Sequence, residues 1–413
     1  MIPSAILEQY GMYAALALFA VTYVLMLTFS KIRPYIALGS AALFILTGML
    51  PLGEIWGTGL NFNSLNVILM IAGTMGLVAL FIESKMPELL ADLVMSCCPN
   101  IMVAAVALSL FSGIISAFVD NVATVLMIAP VALEICKKLK TNPVPFIIAI
   151  AVSSNLQGAA TLVGDTTAIM LGSALEMNFM DFFWYNGRPG MFFVVELGAV
   201  ISALILAFLF RKERKKKVAK ITQLTKVTDY VPSILLVALL VLLIAASFVP
   251  NTPEITNGAI CCVLLLIGLV YTMIRKKSIK AMAAPIKEID YQTILLLIGL
   301  FLMIGGISAQ GVIDWLAQLL VKAGGGNLFL MYTVIVWASV VISAFIDNIP
   351  YVATMIPVIG SISLALSAQM GVDAGAIAVP LYFGLLSGAT LGGNCTPIGA
   401  SANITGIGIL RKE

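Results

Sequence analysis

Long apolar runs alternate with short polar segments along this sequence. Each run is about 17–25 residues long, the length that a helix needs to cross a bilayer. A mixed segment at 83–100 is typical of a helix at the membrane interface. Membrane helices are predicted at roughly 11–29, 35–52, 64–82, 190–210, 231–249, 257–274 and 291–308. The pattern predicts an all-α polytopic membrane protein.

Two stretches of the chain have nearly the same sequence. Residues 116–131 read SAFVDNVATVLMIAPV and residues 343–358 read SAFIDNIPYVATMIPV, with eight of sixteen positions identical at an offset of 227. Each copy places an Asp-Asn pair inside an apolar run. Acidic side chains at membrane depth are costly, so each pair indicates a functional site.

Each Asp-Asn pair lies between two apolar segments that form a predicted re-entrant hairpin, at 101–139 and at 327–370. A turn with polar side chains suits a position buried in protein. An interrupted helix follows each hairpin, at 144–176 and at 375–409, where glycine lets the backbone leave the helix. At the two interruptions, we align residues 161–167 with residues 390–396.

The order of these elements repeats along the chain. Residues 1–189 form the first repeat, residues 190–229 a linking helix and a basic linker, and residues 230–413 the second repeat. The extra helix inverts the second copy, which gives the inverted-repeat architecture of secondary transporters. If the basic linker is cytoplasmic, the N-terminus lies outside and the C-terminus in the cytoplasm of a multi-pass inner-membrane protein.

Composition agrees with this class of protein and excludes several kinds of chemistry. The chain is 61% hydrophobic and 10% charged, with a net charge of +3 and a mean hydropathy of +1.08. It has no histidine, so a histidine proton relay or metal site is excluded, and its six cysteines lack zinc-site spacing. We therefore predict no enzyme activity, no resident cofactor and no nucleic-acid partner. The predicted partners are the lipid bilayer and a small ion.

Each hairpin tip and the interruption that follows it form a candidate ion site. Freed carbonyls and threonine hydroxyls are good ligands for Na⁺, and the predicted spans contain no Lys or Arg. The carboxylates must therefore bind cations or protons, which favours coupling to Na⁺ or H⁺. The first candidate set is Ser116, Asp120, Asn121, Thr161, Gly164, Asp165, Thr166 and Thr167, and the second is Ser343, Asp347, Asn348, Thr390, Gly393, Asn394 and Thr396. The candidate Na⁺ ligands are Asp120, Asn121 and Asp165 in the first half and Asp347, Asn348 and Asn394 in the second.

At these residues the sequence resembles the ion transporter superfamily, in the branch of arsenite-efflux permeases, pink-eyed-dilution proteins and citrate-transporter-like proteins. The resemblance rests on the two hairpin stretches together with GAATLVGD and GGNCTPIGASANI. It implies a scaffold domain, a transport domain that moves as an elevator, and a homodimer. The family's first interruption usually continues GDPPN, whereas here Thr166 and Thr167 follow Asp165. The family usually has one more helix after the second interruption, and none is predicted here.

Four functions compete at this point. The first is a secondary active transporter of a small inorganic or organic ion, working as an antiporter or efflux carrier. The alternative is a Na⁺-coupled di- or tricarboxylate symporter, although the Ser-Asn-Thr tips of the dicarboxylate branch are absent. An intramembrane aspartyl protease is more remote, because Leu162 stands where its Gly-x-Gly-Asp motif needs glycine. A passive channel would also have broken helices, but no selectivity motif is visible.

Overall fold

A computed structural model describes residues 4–139, 141–216 and 224–411, and most of these residues are helical. Residues 217–223 of the predicted basic linker lie outside the described residues. The first half contains α1 (Ser4–Thr28), α2 (Arg33–Thr47), α3 (Phe62–Glu83), α4 (Met86–Ser96), α5 (Ile101–Ser116), α6 (Asn121–Leu139), α7 (Val144–Gly158), α8 (Thr166–Ala174) and α9 (Met191–Leu209). A short ribbon of β1 (Trp184–Tyr185) and β2 (Arg188–Pro189) precedes α9.

The second half repeats this order after α9. It contains α10 (Val231–Ser247), α11 (Thr256–Lys276), α12 (Ala283–Lys287), α13 (Tyr291–Ala309), α14 (Val312–Gly324), α15 (Leu328–Ser343), α16 (Asn348–Met370), α17 (Ala374–Gly393) and α18 (Ser401–Arg411). Short 3₁₀ helices lie at Ser30–Ile32, Leu52–Glu54, Phe179–Phe182, Phe210–Lys215 and Ile279–Met282.

Seven of the described helices are long and apolar enough to cross a membrane. They are Gln9–Thr28, Phe62–Glu83, Met191–Lys215, Thr256–Lys276, Tyr291–Ala309, Asn348–Met370 and Ala374–Gly393. Shorter apolar helices lie at Arg33–Thr47, Ile101–Ser116, Val144–Gly158, Val231–Ser247 and Leu328–Ser343. The structure confirms the predicted all-α membrane fold with two hairpins, α5–α6 and α15–α16, and two interrupted helices, α7–α8 and α17–α18.

Helices from the two halves pack directly against each other. The second helix of each half packs along a later helix of the other half, so that α2 contacts α13 and α11 contacts α3. Glycine permits the close approach in both places. A Cβ on Gly299 would lie 2.7 Å from the carbonyl carbon of Ala37, and one on Gly73 would lie 2.6 Å from that of Cys261. We call α1–α3 with α10–α13 the frame, and α5–α9 with α15–α18 the central unit.

One end of the molecule carries many of the basic residues, and we call it the basic end. There α3 and α11 finish side by side, where Glu83 pairs with Lys276 and Asp229 pairs with Arg275. The first hairpin also starts at this end, because the backbone N–H of Ile101 donates to the carbonyl of Lys216 at 3.1 Å. The tip of that hairpin lies in the interior of the bundle, where Ala117, Val119 and Asn121 are buried.

Substitution of Gly299 tests the packing of α13 against α2. We expect Gly299→Ala to destabilise the protein by about 1–3 kcal/mol, because its methyl group would overlap the backbone of α2. The matched control is Gly39→Ala on α2, where an added Cβ meets nothing within 4 Å. Thermal unfolding in detergent measures both variants, and equal melting temperatures would contradict the packing described.

Candidate functional site

Each hairpin tip places its aspartate at the start of the second hairpin helix. The Asp120 carboxylate accepts hydrogen bonds through Oδ2 from the backbone N–H groups of Val122 (3.0 Å) and Ala123 (3.2 Å). The Asp347 carboxylate accepts one through Oδ1 from Ile349 at 3.4 Å. Aspartate is favoured here because the first N–H groups of a helix have no partner within the helix. The caps hold both carboxylates at defined positions.

The interrupted segments, 159–165 and 394–400, pack against the hairpin tips in the same way. Thr161 Oγ1 donates to the carbonyl of Ala117, and Thr396 Oγ1 donates to that of Ala344. A Cβ on Gly164 would lie 2.6 Å from the Ser116 carbonyl oxygen. The matching distance from Gly399 to the Ser343 carbonyl oxygen is 2.9 Å. Each interruption therefore lies directly on the end of its own hairpin helix.

These contacts correct the alignment of the two interruptions. Thr396, not Thr390, is the counterpart of Thr161, and Ala400, not Asn394, takes the place of Asp165. The aligned stretches are therefore GAATLVGD, from 158, and GNCTPIGA, from 393. The residue offset between the two interruptions differs from the offset between the hairpins, because the second half has longer helices. Helix α16 has 23 residues against 19 in α6, and α17 has 20 residues against 15 in α7.

Both tips and both interruptions face one cavity of about 150 Å³. Side chains from α3 form part of its wall, and residues before and at the start of α13 lie at the basic end. The sequence predicted two sites, and the structure brings their carboxylates together in one. The polar residues that line the cavity are Asp120, Asn121, Asp165, Thr166, Glu288, Asp290, Thr293, Asp347, Asn348 and Ser401.

Three of the other predicted site residues form hydrogen bonds next to the cavity. Ser116 Oγ accepts from Ser154 at 3.0 Å, and Thr167 Oγ1 donates to Asp165 Oδ2 at 2.7 Å. Ser343 Oγ donates to the Asn348 side chain. The predicted residues that do not line the cavity are Ser116, Thr161, Gly164, Thr167, Ser343, Thr390, Gly393, Asn394 and Thr396.

A chain of buried asparagines, which the sequence analysis missed, joins the two halves. Asn155 Oδ1 accepts from Asn121 Nδ2 at 3.0 Å. Its own Nδ2 donates to the side-chain oxygens of Asn394 (2.9 Å) and Asn403 (3.1 Å). Asn403 in turn donates to the backbone carbonyl of Gly393 at 2.8 Å. The first hairpin tip is thereby connected to the second interruption.

Two further cavity contacts were missed for different reasons. Ser401 Oγ donates to Asp347 Oδ2 at 2.9 Å, and the corrected alignment would have identified it as the counterpart of Thr166. Arg33 Nη1 lies 3.2 Å from the same oxygen. This ion pair corrects the expectation that no basic residue neutralises the carboxylates. Arg33 lies outside the predicted spans, and no local pattern connects it to a residue in the other half.

The two half-sites therefore differ in charge. Asp347 has an ion-pair partner, whereas Asp120 and Asp165 have none among the described residues. Asp120 Oδ1 and Asn121 Oδ1 also have no hydrogen-bond donor within the described ranges, so both oxygens are available to a ligand. No group of three or more His, Cys, Asp or Glu that could hold a metal ion is found in the described part of the chain. A cation at this site would need amide, hydroxyl or backbone oxygens as well as carboxylates.

Comparison with known proteins identifies relatives along nearly the whole chain. The profile of the family described as CitMHS, citrate transporter, matches residues 23–379. An uncharacterized transporter of Mycobacterium tuberculosis is 30% identical over 402 residues, which cover 96% of this chain and 90% of that protein. The P protein of Homo sapiens is 25% identical over 381 residues, covering 75% of this chain and 45% of that protein.

A solved structure has a similar fold. The crystal structure of the Alcanivorax borkumensis YdaH transporter, described as having an unusual topology, matches with a TM-score of 0.54. The match covers 85% of this chain and 78% of that chain at 13% sequence identity, so the likeness concerns the fold alone.

Substitution of Asn155 tests the bridge between the halves. Asn155→Leu removes three hydrogen bonds and leaves buried amide groups on both sides without partners, at a cost of about 1–3 kcal/mol for each group. We expect a clear fall in the melting temperature of the purified protein. The control is Asn257→Ala on α11, since Asn257 is half-buried and forms no side-chain hydrogen bond among the described residues. Equal stability of the two variants would show that the bridge is not formed.

Proposed function

This chain belongs to the citrate transporter family, and from that premise we propose that it is a secondary active transporter of a small ion, coupled to H⁺ or Na⁺. In this proposal the protein works as an antiporter or efflux carrier in the cell inner membrane. Its N-terminus lies outside and its basic end in the cytoplasm, because basic residues are retained on that side. The cavity then opens towards the cytoplasm.

The observation that carries the proposal is the excess of negative charge in the cavity. The tips and interruptions contribute three carboxylates to its lining, those of Asp120, Asp165 and Asp347, and of these only Asp347 has a basic partner among the described residues. An unpaired carboxylate at membrane depth is costly, so Asp120 and Asp165 require a proton or a metal cation when the cavity is closed to water. Cation binding and closure are thereby linked, which is the requirement for coupled transport.

The first half provides the better site for the coupling cation. Asp120 Oδ1 and Asn121 Oδ1 are free of hydrogen bonds among the described residues, and Asp165 lies on the same cavity wall. Hard oxygen ligands of this kind suit Na⁺ as well as H⁺. Helix α8 starts directly after Asp165, and its N-terminus adds a partial positive charge that stabilises the ionised carboxylate between binding events.

The fold supports alternating access by an elevator motion. The frame helices pack mainly on one another, and the central unit contains both hairpins and both interrupted helices. A rigid displacement of the central unit against the frame would move the intact cavity from one face of the membrane to the other. The asparagine bridge would keep the two half-sites together during that displacement.

A carboxylate symporter is the second candidate, and the description of the family as citrate transporters favours it. The cavity also contains Glu288 and Asp290 near its basic end. A pair of like charges about 4 Å apart costs about 4 kcal/mol at an effective dielectric constant of about 20. A citrate-like anion would therefore have to enter together with cations. No observation within the described residues favours the intramembrane protease or the channel.

Transport by purified protein in proteoliposomes tests the proposal. We expect an imposed pH or Na⁺ gradient to drive uptake of a substrate from a panel of inorganic oxyanions, monovalent cations and di- and tricarboxylates. Asp165→Asn and Asp120→Asn should each reduce the rate at least tenfold, which corresponds to a loss of about 1.4 kcal/mol. Asparagine has nearly the same size as aspartate and preserves the helix cap at position 120, so the loss would report on the charge.

The matched control is Asp373→Asn. Asp373 caps α17 through the backbone N–H of Ala376 at 3.0 Å and lies outside the cavity. This variant should transport like the wild type. Gradient-independent uptake across the panel, or full activity of Asp165→Asn and Asp120→Asn, would refute cation coupling at this site. Uptake of tricarboxylates alone would select the second candidate.

A further inference from the structure

Arg33 is the only basic residue in the described ranges that forms an ion pair with a carboxylate of the cavity. It opens α2, directly after the turn that follows α1. Its Nε donates to the carbonyl of Met26 at 3.2 Å, while Nη1 contacts Asp347. The backbone of the frame therefore aims the guanidinium at the second hairpin tip. The side chain is only 17% exposed, so water screens the pair weakly.

The negative charge of the Asp347 carboxylate is balanced in this arrangement. Its carboxylate accepts from Arg33, from Ser401 on α18 and from the backbone of Ile349, and its side chain is 9% exposed. The other charged groups that face the same cavity, Asp120, Asp165, Glu288 and Asp290, are all acidic. A cation in the cavity therefore gains less binding free energy at Asp347 than at the carboxylates that have no basic partner among the described residues.

We propose that Arg33 takes the place of a transported cation at Asp347, so that cations bind only in the half-site of Asp120 and Asp165. Arg33 is thus a positioning residue that acts through Asp347 and sets how many cations the cavity binds. This inference rests on the proposed cation coupling. Arg33 belongs to the frame and Asp347 to the central unit. Arg33 therefore replaces the cation only while these two units keep the contact seen here.

Comparison of the two repeats supports placing the cation site in the half of Asp120 and Asp165. Asp120 and Asp347 occupy the same position in the two hairpins, and both cap the helix that follows. Among the described residues, only Asp347 receives a guanidinium from the frame, and only the first half has a second aspartate, Asp165, at its interruption. Both half-sites have the aspartate of the hairpin tip. The first has one further negative charge, and the second has one positive charge.

A count of bound cations in the purified protein tests this inference. The measurements are equilibrium binding of ²²Na⁺ and the infrared band of protonated carboxyl groups. Arg33→Gln should raise the sum of bound Na⁺ and carboxyl-bound protons by about one per molecule, because a buried carboxylate without its partner must acquire another positive charge. The double variant Arg33→Gln/Asp347→Asn should return the sum to the wild-type value. Arg33→Lys should leave it unchanged.

Asp347→Asn provides a second measurement if Arg33→Gln does not fold. This single variant should bind as many cations as the wild type, since Asp347 is not a cation site while Arg33 holds it. An unchanged count in folded Arg33→Gln, or the loss of a bound cation in Asp347→Asn, would overturn the inference. The count requires no substrate and no flux, so a failure here is distinguishable from a failure of the transport assay.

Discussion

Two interrupted helices place polar backbone at membrane depth, and the rest of the structure depends on how that backbone is satisfied. An unpaired backbone group in lipid costs several kcal/mol, so an interruption must lie against protein. Here each interruption lies on the end of a hairpin helix, held by Thr161 on the carbonyl of Ala117 and by Thr396 on that of Ala344. Glycine at 164 and 399 allows the close approach. This contact brings Asp165 to the same cavity as Asp120.

The halves are joined where their interruptions meet. Helix α18 packs against α6 and α7, and Asn155 bridges the first hairpin tip to the segment before α18. Buried amides of this kind are favourable only when all their partners are present, so the bridge specifies one relative placement of the halves. A pair of separate half-sites becomes a single cavity as a result.

The charges of that cavity break the symmetry of the repeat. Within the part of the chain that the structure describes, the first half carries two aspartates without basic partners, and the second carries one aspartate with an arginine. A symmetric scaffold with unequal charges can bind a cation in one half-site and use the other for a different purpose. The corrected alignment sharpens this contrast, because Ala400 rather than Asn394 stands opposite Asp165 in the structure.

The sequence by itself determined the membrane class, the order of helices, both hairpins and the positions of Asp120, Asp165 and Asp347. These features follow from the length of apolar runs and from a repeat that is visible in the letters. The sequence could not place the second interruption correctly, because longer helices in the second half changed the offset between the repeats. Only the tertiary structure decided that the tips share one cavity, that Asn155 bridges the halves and that Arg33 reaches Asp347. Those contacts join residues from distant parts of the chain, and their formation depends on helix packing that no local pattern encodes.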